Sequence, residues 1–204
     1  TIEQINKSLS QTWVKPDVFV PIVRISDEDE EKVNKLIQIP GVTKRNIDTR
    51  VYYYKESASH LIGYVGTINK EELEKHKDEG YGKTDILGKT GLEQTFEKRL
   101  KGQNGWEIFI RDINGEKAKT IVKKDAKNGE DIKLTIDAEL QKSLYEKLNG
   151  DSGSAVAIHP KTGEILAMTS SPSYDPNKLV LGIQEKDWAS IRDNPQKPLL
   201  NRFS

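Results

Sequence analysis

Two short apolar segments joined by a turn, within residues 152–177, constrain the fold of this chain more than any other feature. Ala, Val, Ile, Leu and Met dominate the two arms, residues 154–158 and 164–169. Between them lies His-Pro-Lys-Thr-Gly, whose glycine can adopt the positive φ that a tight turn usually needs. The pattern predicts a β-hairpin with one buried face. The following Ser-Pro-Ser-Tyr-Asp-Pro-Asn (171–177) is interrupted by prolines and predicts an extended crossover, neither helix nor inner strand.

The chain carries fewer apolar residues than a compact domain of its length normally has. Hydrophobic residues make up 34% of the 204 residues. Even with the 15 glycines counted, the apolar share stays below the level of about 45–50% that is typical of globular domains. The low share favours an extended, surface-rich molecule, or one separated from part of its core. The length suits one large domain or two small ones.

Charge, cysteine content and hydropathy exclude several classes of function. Charged residues make up 31% of the chain but the formal net charge is zero, so the basic excess of a nucleic-acid-binding surface is missing. The absence of cysteine excludes disulfides and thiolate chemistry. No segment has the roughly 18 consecutive apolar residues of a transmembrane helix, and none has the form of a signal peptide. We therefore expect any membrane anchor of a parent protein to lie outside these residues.

The N-terminal quarter predicts two helices separated by an extended segment. Residues 2–10 have apolar positions at helical spacing, and the prolines of residues 13–25 predict an extended segment at a sheet edge or outside a sheet. A second helix is expected to begin at Ser26, because a hydroxyl followed by acidic residues suits a helix N-terminus, and to end at Pro40-Gly41. Its expected buried stripe is Val33, Leu36 and Ile37. The acidic run is compatible with a metal or polycation site, but a solvated, capped helix explains it more simply.

The central part predicts short strands and short helices. Residues 42–47 and 50–54 are rich in β-branched and aromatic residues and predict strands. Residues 57–64 predict a helical turn halted by glycine, and residues 70–77 an exposed helix. Thr90-Gly91-Leu92-Glu93 has the form of a capping box. An apolar stripe follows it at Leu92, Phe96 and Leu100.

From Trp106 onward, polar and apolar residues alternate with a period of two, which predicts strands. Asn114-Gly115, a strong hairpin signal, separates predicted strands at 106–112 and 116–123. A third strand is predicted at 132–136, after which Asp137 is expected to cap a helix; a last helical turn is predicted at 186–191. The helix after Asp137 has a predicted apolar stripe of Leu140, Leu144 and Leu148. These elements together predict an α+β fold.

The residue types that usually carry chemistry form no familiar site. His60, His76 and His159 are too far apart in sequence for a known metal spacing, and His159 is most simply a turn residue. Trp106 and Trp188 could stack on a ligand, but we expect them to pack locally. No glycine-rich phosphate loop and no pair of carboxylates in an apolar setting is present. We therefore assign no catalytic, cofactor-binding or metal-binding residue.

Several motifs resemble those of class B penicillin-binding proteins. Residues 153–177 are similar to the start of the transpeptidase domain, and Asn201-Arg202-Phe203 resembles the segment upstream of its nucleophile. Two motifs resemble hallmarks of the non-catalytic domain: His60-Leu61-Ile62-Gly63-Tyr64-Val65-Gly66 and Gly88-Lys89-Thr90-Gly91-Leu92-Glu93. The segment from Leu134 to Gln141 is similar to the junction between the two domains. Trp13-Val14 and Phe19-Val20-Pro21 are similar to the low-affinity, methicillin-resistance subgroup. One departure lies at Arg50-Val51-Tyr52-Tyr53, where many relatives have proline after the tyrosine.

The resemblance implies a pedestal, or dimerisation, domain over residues 1–134 and an incomplete transpeptidase domain over residues 135–204. It also implies that the parent cross-links peptidoglycan by acyl transfer on D-Ala-D-Ala stem peptides and is acylated by β-lactams. In that family the serine of an S-x-x-K motif is the nucleophile. The lysine of the motif helps to remove the hydroxyl proton, because a serine hydroxyl needs an adjacent base. No serine here has lysine three residues later or asparagine two residues later, so we expect this chain to be inactive.

Two K-T-G triplets resemble the catalytic K-T-G of the family but occur at the wrong points along the chain. Lys89-Thr90-Gly91 is expected at a helix N-cap, and Lys161-Thr162-Gly163 in the hairpin turn. Both precede any S-x-x-K, whereas the catalytic triplet comes late in the domain. We expect neither triplet to be catalytic.

The resemblance further implies partners and a location for the parent protein. The implied ligands are the stem peptide and β-lactams, bound through the missing part of the catalytic domain, and the implied protein partners are other cell-wall synthesis proteins. No cofactor and no nucleic acid is expected. The parent is expected at the extracytoplasmic face of the cell membrane, held by an anchor outside this chain. Two alternatives remain: a stand-alone scaffold module without enzyme activity, and a β-lactam sensor, against which the pedestal motifs argue.

Overall fold

The structure is a computed structural model that describes residues 2–12, 14–15, 18–25, 29–82, 85–180, 182–183 and 185–203. Short helices and three antiparallel strand pairs alternate along the chain, so the α+β prediction is confirmed. The helices are α1 (Ile2–Leu9), α2 (Glu30–Ile37), α3 (Lys55–Ile62), α4 (Lys70–Lys75), α5 (Gly91–Thr95), α6 (Glu97–Leu100), α7 (Ala138–Leu148), α8 (Pro176–Val180) and α9 (Glu185–Arg192). The strands are β1 (Val65–Thr67), β2 (Ile86–Gly88), β3 (Trp106–Arg111), β4 (Lys117–Lys124), β5 (Gly153–Ile158) and β6 (Ile165–Ser171).

The molecule is extended, with small separate cores. Its accessible surface is 15513 Å², whereas a compact protein of 23.1 kDa exposes roughly 9,700 Å². One core cluster contains Tyr52, Val65 and Val180. A second contains Ile68, Tyr81 and Leu87, with Leu73 packed against it. The low apolar share of the sequence is thus matched by a large exposed surface.

The two motifs of the predicted pedestal domain meet through glycines. Gly63 ends α3 with φ +81°, and a Cβ atom on it would lie 1.9 Å from the Thr90 carbonyl oxygen. A Cβ atom on Gly91 would lie 2.6 Å from the Gly63 nitrogen. Next to this contact, strand β1 pairs with strand β2, from Val65↔Gly88 to Thr67↔Ile86. Backbone approach this close is possible only without side chains.

The hairpin predicted around Asn114-Gly115 is confirmed. β3 pairs with β4, and Gly115 has φ +83° in the turn. The hairpin projects from the molecule: most of its residues are exposed, including Trp106, Ile108, Ile110 and Ile121. Trp106 is half exposed, so the expected local packing covers only part of it.

The hairpin predicted at residues 154–169 is confirmed, and its two faces differ. β5 pairs with β6 from Gly153↔Ser171 to Ile158↔Ile165, and Gly163 in the turn has φ +75°. One face packs on α7 and α3, with Ala167 fully buried. On the other face Val156 and Ile158 remain 45% and 58% exposed. As we expected, apolar side chains of the hairpin are not covered by residues 1–150.

Three predicted strands are wrong. Residues 42–47, 50–54 and 132–136 have no strand structure. The backbone of Tyr52 bonds instead to the side chain of Asn177, which supplies both a donor and an acceptor. The hydroxyl of Thr135 donates to Ile165 O, and the amide of Asp137 donates to Leu166 O. At Tyr52 a side chain thus takes the place that a neighbouring strand would have in a sheet.

Predictions about helices are mostly confirmed. Helices lie where they were expected at residues 2–10, 57–64, 70–77 and 186–191, and Asp137 caps α7 through a 3.0 Å bond from Leu140 N. α2 also forms, but none of its residues is buried, so its predicted buried stripe is wrong. Ser26, the predicted helix cap, lies outside the described residues. Trp13 and Pro16 of the predicted extended segment also lie outside them. The described residues 18–25 form no strand, which agrees with an extended segment outside a sheet.

Two local predictions need correction. Thr90 precedes α5 but makes no side-chain capping bond, because Gly91 adopts φ +60° and the first turn departs from helical geometry. The capping box occurs instead at α4, where Asn69 and Glu72 exchange two 2.8 Å bonds. The crossover is also shorter than expected, since Ser171 ends β6 and Pro176 begins α8. Proline is well suited to that first helical position because its missing N–H would be unbonded there.

Candidate functional site

A group of buried polar contacts lies where the hairpin β5–β6 meets α3 and α7. Gln141 of α7 is 1% exposed. Its amide nitrogen donates to Ser57 O of α3 at 2.6 Å and to Met168 O of β6 at 2.7 Å. Its amide oxygen accepts from Met168 N at 2.7 Å. One side chain thus joins two helices and a strand through bonds to buried backbone groups.

Asn177 makes a second link across this interface. Its side-chain oxygen accepts from Tyr52 N at 2.8 Å, and its side-chain nitrogen donates to Tyr52 O at 3.0 Å. Asp175 fixes the orientation of the Asn177 amide by accepting from that same nitrogen at 2.9 Å. The residues after the hairpin are therefore held to the loop before α3.

A buried carboxylate lies behind this link. Glu93 is 6% exposed and accepts from the Tyr52 hydroxyl at 3.2 Å. Arg50 lies 3.2 Å from the same carboxylate. Burial raises the pKa of Glu93 in spite of the opposing Arg50 charge, and burial together with Glu93 raises the pKa of Tyr52. Because the Tyr52 hydroxyl also accepts from Val65 N at 3.0 Å, the cluster ties the loop to β1.

An aromatic group lies at the same interface. Tyr174 meets His60 edge to face at 5.3 Å between ring centres, and meets Tyr64 in the same way at 6.1 Å. Ser59 and Ser173 are joined by a hydroxyl–hydroxyl hydrogen bond. Burial raises the pKa values of Tyr64 and Tyr174 and lowers that of His60, so all three rings favour the neutral form near pH 7.

The lysines of the two K-T-G triplets, Lys89 and Lys161, make their contacts away from this interface. Lys89 donates to Thr67 O and pairs with Glu72, both in the part of the chain around β1 and α4. Lys161 and Thr162 lie in the hairpin turn, where their amides donate to His159 Nδ1 at 3.3 and 3.2 Å. His159 is therefore a turn residue, as the sequence indicated.

Within the described residues, neither a hydrogen-bonded Ser–Lys pair nor a cluster of metal-ligating side chains is present. In the described ranges no hydrogen bond joins a serine hydroxyl to a lysine ammonium, which is the contact that acyl transfer of the S-x-x-K type needs. Nor do three or more His, Cys, Asp or Glu side chains in those ranges form a group that could hold a metal ion. Among the helices that the structure describes, none is both long and apolar enough to cross a membrane. The arrangement is suited to holding two parts of a protein together.

Sequence reasoning missed Gln141, Asn177 and the buried role of Glu93. A signal for Gln141 was present, since positions 141, 144, 145 and 148 share the covered face of α7 and Gln141 is the one amide among them. Asn177 and Glu93 gave no such signal. Their partners are 125 and 41 residues away in sequence.

Comparison with known proteins identifies this arrangement. Residues 1–134 match the family described as the penicillin-binding protein dimerisation domain. The chain belongs to the class B penicillin-binding proteins. Residues 153–202 match the penicillin-binding protein transpeptidase domain. The bonds between Asn177 and Tyr52 therefore join the two matched segments, and Gln141, which lies between the segments in the sequence, bonds to both.

Individual relatives agree with the family. Penicillin-binding protein 3 of Bacillus subtilis is 43% identical over all 204 residues, and the peptidoglycan D,D-transpeptidase MrdA of Acinetobacter baumannii is 36% identical over 98% of the chain. The chain spans only 30% and 32% of the length of these two relatives. The structure of penicillin-binding protein PBP2 in complex with MreC from Helicobacter pylori superposes with a TM-score of 0.76 and 27% identity. That match covers 97% of this chain and 38% of the other.

Proposed function

We propose that this chain is the non-catalytic part of a serine D,D-transpeptidase that cross-links peptidoglycan stem peptides and is acylated by β-lactams. The observation that supports the proposal is the order of its parts. A dimerisation-domain match is followed by a transpeptidase match that ends at residue 202, before any serine with a lysine three residues later. The role of the chain is then to support the catalytic domain rather than to react.

Covalent labelling tests this proposal. The parent protein and the 204-residue chain are each incubated with a fluorescent penicillin and separated on a denaturing gel. We expect a labelled band for the parent and none for the chain, because acylation requires the Ser–Lys pair. An unlabelled parent would contradict the enzyme assignment and favour the alternative, a scaffold module without activity. A labelled chain would contradict the assignment of no catalytic residue to residues 1–204.

We also propose the domain division 1–134 and 135–204. It is supported by the first contacts after residue 134, since Thr135 and Asp137 both bond to β6 of the hairpin. Amide hydrogen exchange of the 204-residue chain tests the boundary. We expect the Asp137 amide to exchange at the rate of the β6 amides; exchange at the rate of the β3–β4 hairpin would place the boundary later.

The finer subgroup is a further proposal. The similarity of residues 13–14 and 19–21 to the low-affinity, methicillin-resistance type supports a parent that reacts slowly with penicillin. Measured side by side with an MrdA relative, the parent should need a higher penicillin concentration for half-maximal labelling. Equal concentrations would assign it to the ordinary, penicillin-sensitive type.

We also propose a partner and a location for the parent protein. The Helicobacter pylori PBP2 structure is a complex with MreC, which supports a cell-wall synthesis protein as partner of this parent. We place the parent at the extracytoplasmic face of the membrane, with its anchor outside residues 1–204. Protease added to intact cells should digest it if this is right, and should leave it intact if it lies in the cytoplasm.

A further inference from the structure

Residues 196–202 fold into a compact segment that we call the strap. Its shape is set from within by Arg202, whose guanidinium donates to the carbonyl oxygens of Gln196, of Lys197 at 3.3 Å and of Leu200 at 3.0 Å. A turn bond from Leu200 N to Lys197 O at 3.0 Å adds to this. Because a planar guanidinium holds several acceptors in a fixed geometry, the strap is a defined turn.

The hairpin holds the strap from one side. The Ser170 hydroxyl of β6 donates to Leu200 O at 3.3 Å and accepts from Arg202 N at 3.2 Å. The Ser154 hydroxyl of β5 donates to Arg202 O at 3.0 Å. Ser154 and Ser170 are cross-strand partners, so they present their hydroxyls on one face of the hairpin.

His60 of α3 makes a further contact with the strap. Its Nε2 lies 2.9 Å from the carbonyl oxygen of Pro198. Since a carbonyl oxygen only accepts, Nε2 carries the proton and donates. The edge-to-face contact with Tyr174 fixes the plane of the ring, and burial together with the Arg202 charge lowers the pKa of His60, so the donor is the neutral imidazole.

We propose that His60 is a positioning residue for acyl transfer, through which the dimerisation domain fixes the direction in which the chain approaches its nucleophile. The inference rests on the proposed function, because it requires the serine to follow the strap. His60 is the strap's link to α3, whereas Gln141 and Asn177 hold the hairpin and α8. A small displacement of a nucleophile from its reactive geometry slows reaction by large factors, so one hydrogen bond at this point affects rate.

A pair of substitutions separates positioning from packing. His60→Phe keeps a ring against Tyr174 but has no donor, whereas His60→Gln loses the ring and keeps an amide donor at a similar distance from the backbone. In the parent protein we expect His60→Phe to slow acylation by bound penicillin about tenfold with little change in the penicillin dissociation constant. His60→Gln should retain most of the rate. If His60 were needed only for packing, His60→Gln would be slower than His60→Phe, and that order would overturn the proposal. Equal acylation rates for the wild type and both variants would overturn it as well.

Hydrogen exchange of the 204-residue chain gives an independent readout that does not depend on acylation. We expect His60→Phe to speed exchange of the Leu200 and Arg202 amides several-fold relative to the β6 amides, and His60→Gln to leave it near the wild-type rate. Unchanged exchange in His60→Phe would overturn the proposal even if the parent is an active enzyme. A wild-type parent that is not labelled by penicillin identifies a failure of the proposed function, and the exchange experiment still decides whether His60 holds the strap.

Discussion

At the scale of single residues, the contacts that matter most are those that only one residue type can make. Glycine at positions 63 and 91 lets the end of α3 and the start of α5 approach to backbone contact. Glu93 belongs to the same motif as Gly91, and it turns inward to Tyr52 and Arg50 instead of capping its own helix. The two family motifs are therefore two sides of one packed contact.

Alanine substitution at two glycines of nearly equal φ isolates the effect of that contact. Gly63 and Gly115 have φ of +81° and +83°, but only Gly63 has backbone atoms where a Cβ would lie. We expect Gly115→Ala to lower the free energy of unfolding by about 1 kcal/mol, the cost of a positive φ. Gly63→Ala should lower it by about 4 kcal/mol or prevent folding. Urea denaturation measures both, and equal losses would mean that α3 and α5 separate at no cost.

At the scale of elements, the helices and strands of this molecule are joined more by buried polar bonds than by a large apolar core. α7 is attached to α3 and β6 through Gln141, and the loop before α3 is attached to α8 through Asn177. Such bonds are directional, so they specify how the elements are oriented as well as holding them together.

An isosteric substitution of Gln141 tests this dependence. Gln141→Glu keeps the acceptor for Met168 N but replaces the donor to Ser57 O and Met168 O with a carboxylate oxygen. We expect the free energy of unfolding at pH 7 to fall by about 3 kcal/mol, because a buried charge faces two carbonyl oxygens. The matched change Gln94→Glu, at an exposed position of α5, should alter it by less than about 0.5 kcal/mol. Similar small effects at both positions would contradict the assigned role of Gln141.

At the scale of the whole molecule, the hairpin β5–β6 has one packed face and one face that the strap contacts at Ser154 and Ser170 but that is open at Val156 and Ile158. The face with Ala167 packs against α7 and α3, while Val156 and Ile158 on the other face stay largely exposed. The chain covers about a third of its relatives' length, and we propose that the remainder of the transpeptidase domain covers this face in the parent. The hairpin then serves as the point where the non-catalytic and catalytic parts join.

Lysine substitutions on the two faces distinguish the chain from its parent. Val156→Lys should change the free energy of unfolding of the 204-residue chain by less than about 1 kcal/mol, since the side chain stays in water. In the parent the same change should cost more than about 3 kcal/mol or abolish penicillin labelling, because a charge is buried. Ala157→Lys, on the packed face, should destabilise both proteins. If the parent tolerates Val156→Lys as well as the chain does, the open face is not covered by the remaining domain.

The sequence by itself determined the features that depend on a few neighbouring residues. Asn114-Gly115 and Gly163 specify turns through their backbone freedom, Asp137 specifies the start of α7, and residues 154–169 specify a hairpin. It also shows that no serine of these residues has a lysine three residues later, since motif spacing is a property of the chain. Only the tertiary structure decided that residues 42–47, 50–54 and 132–136 are not strands, because a strand exists only where a partner supplies its hydrogen bonds. It alone decided that Gln141, Asn177, Glu93 and His60 form the interface, because their partners lie far away in sequence, and burial of a polar side chain depends on what packs around it.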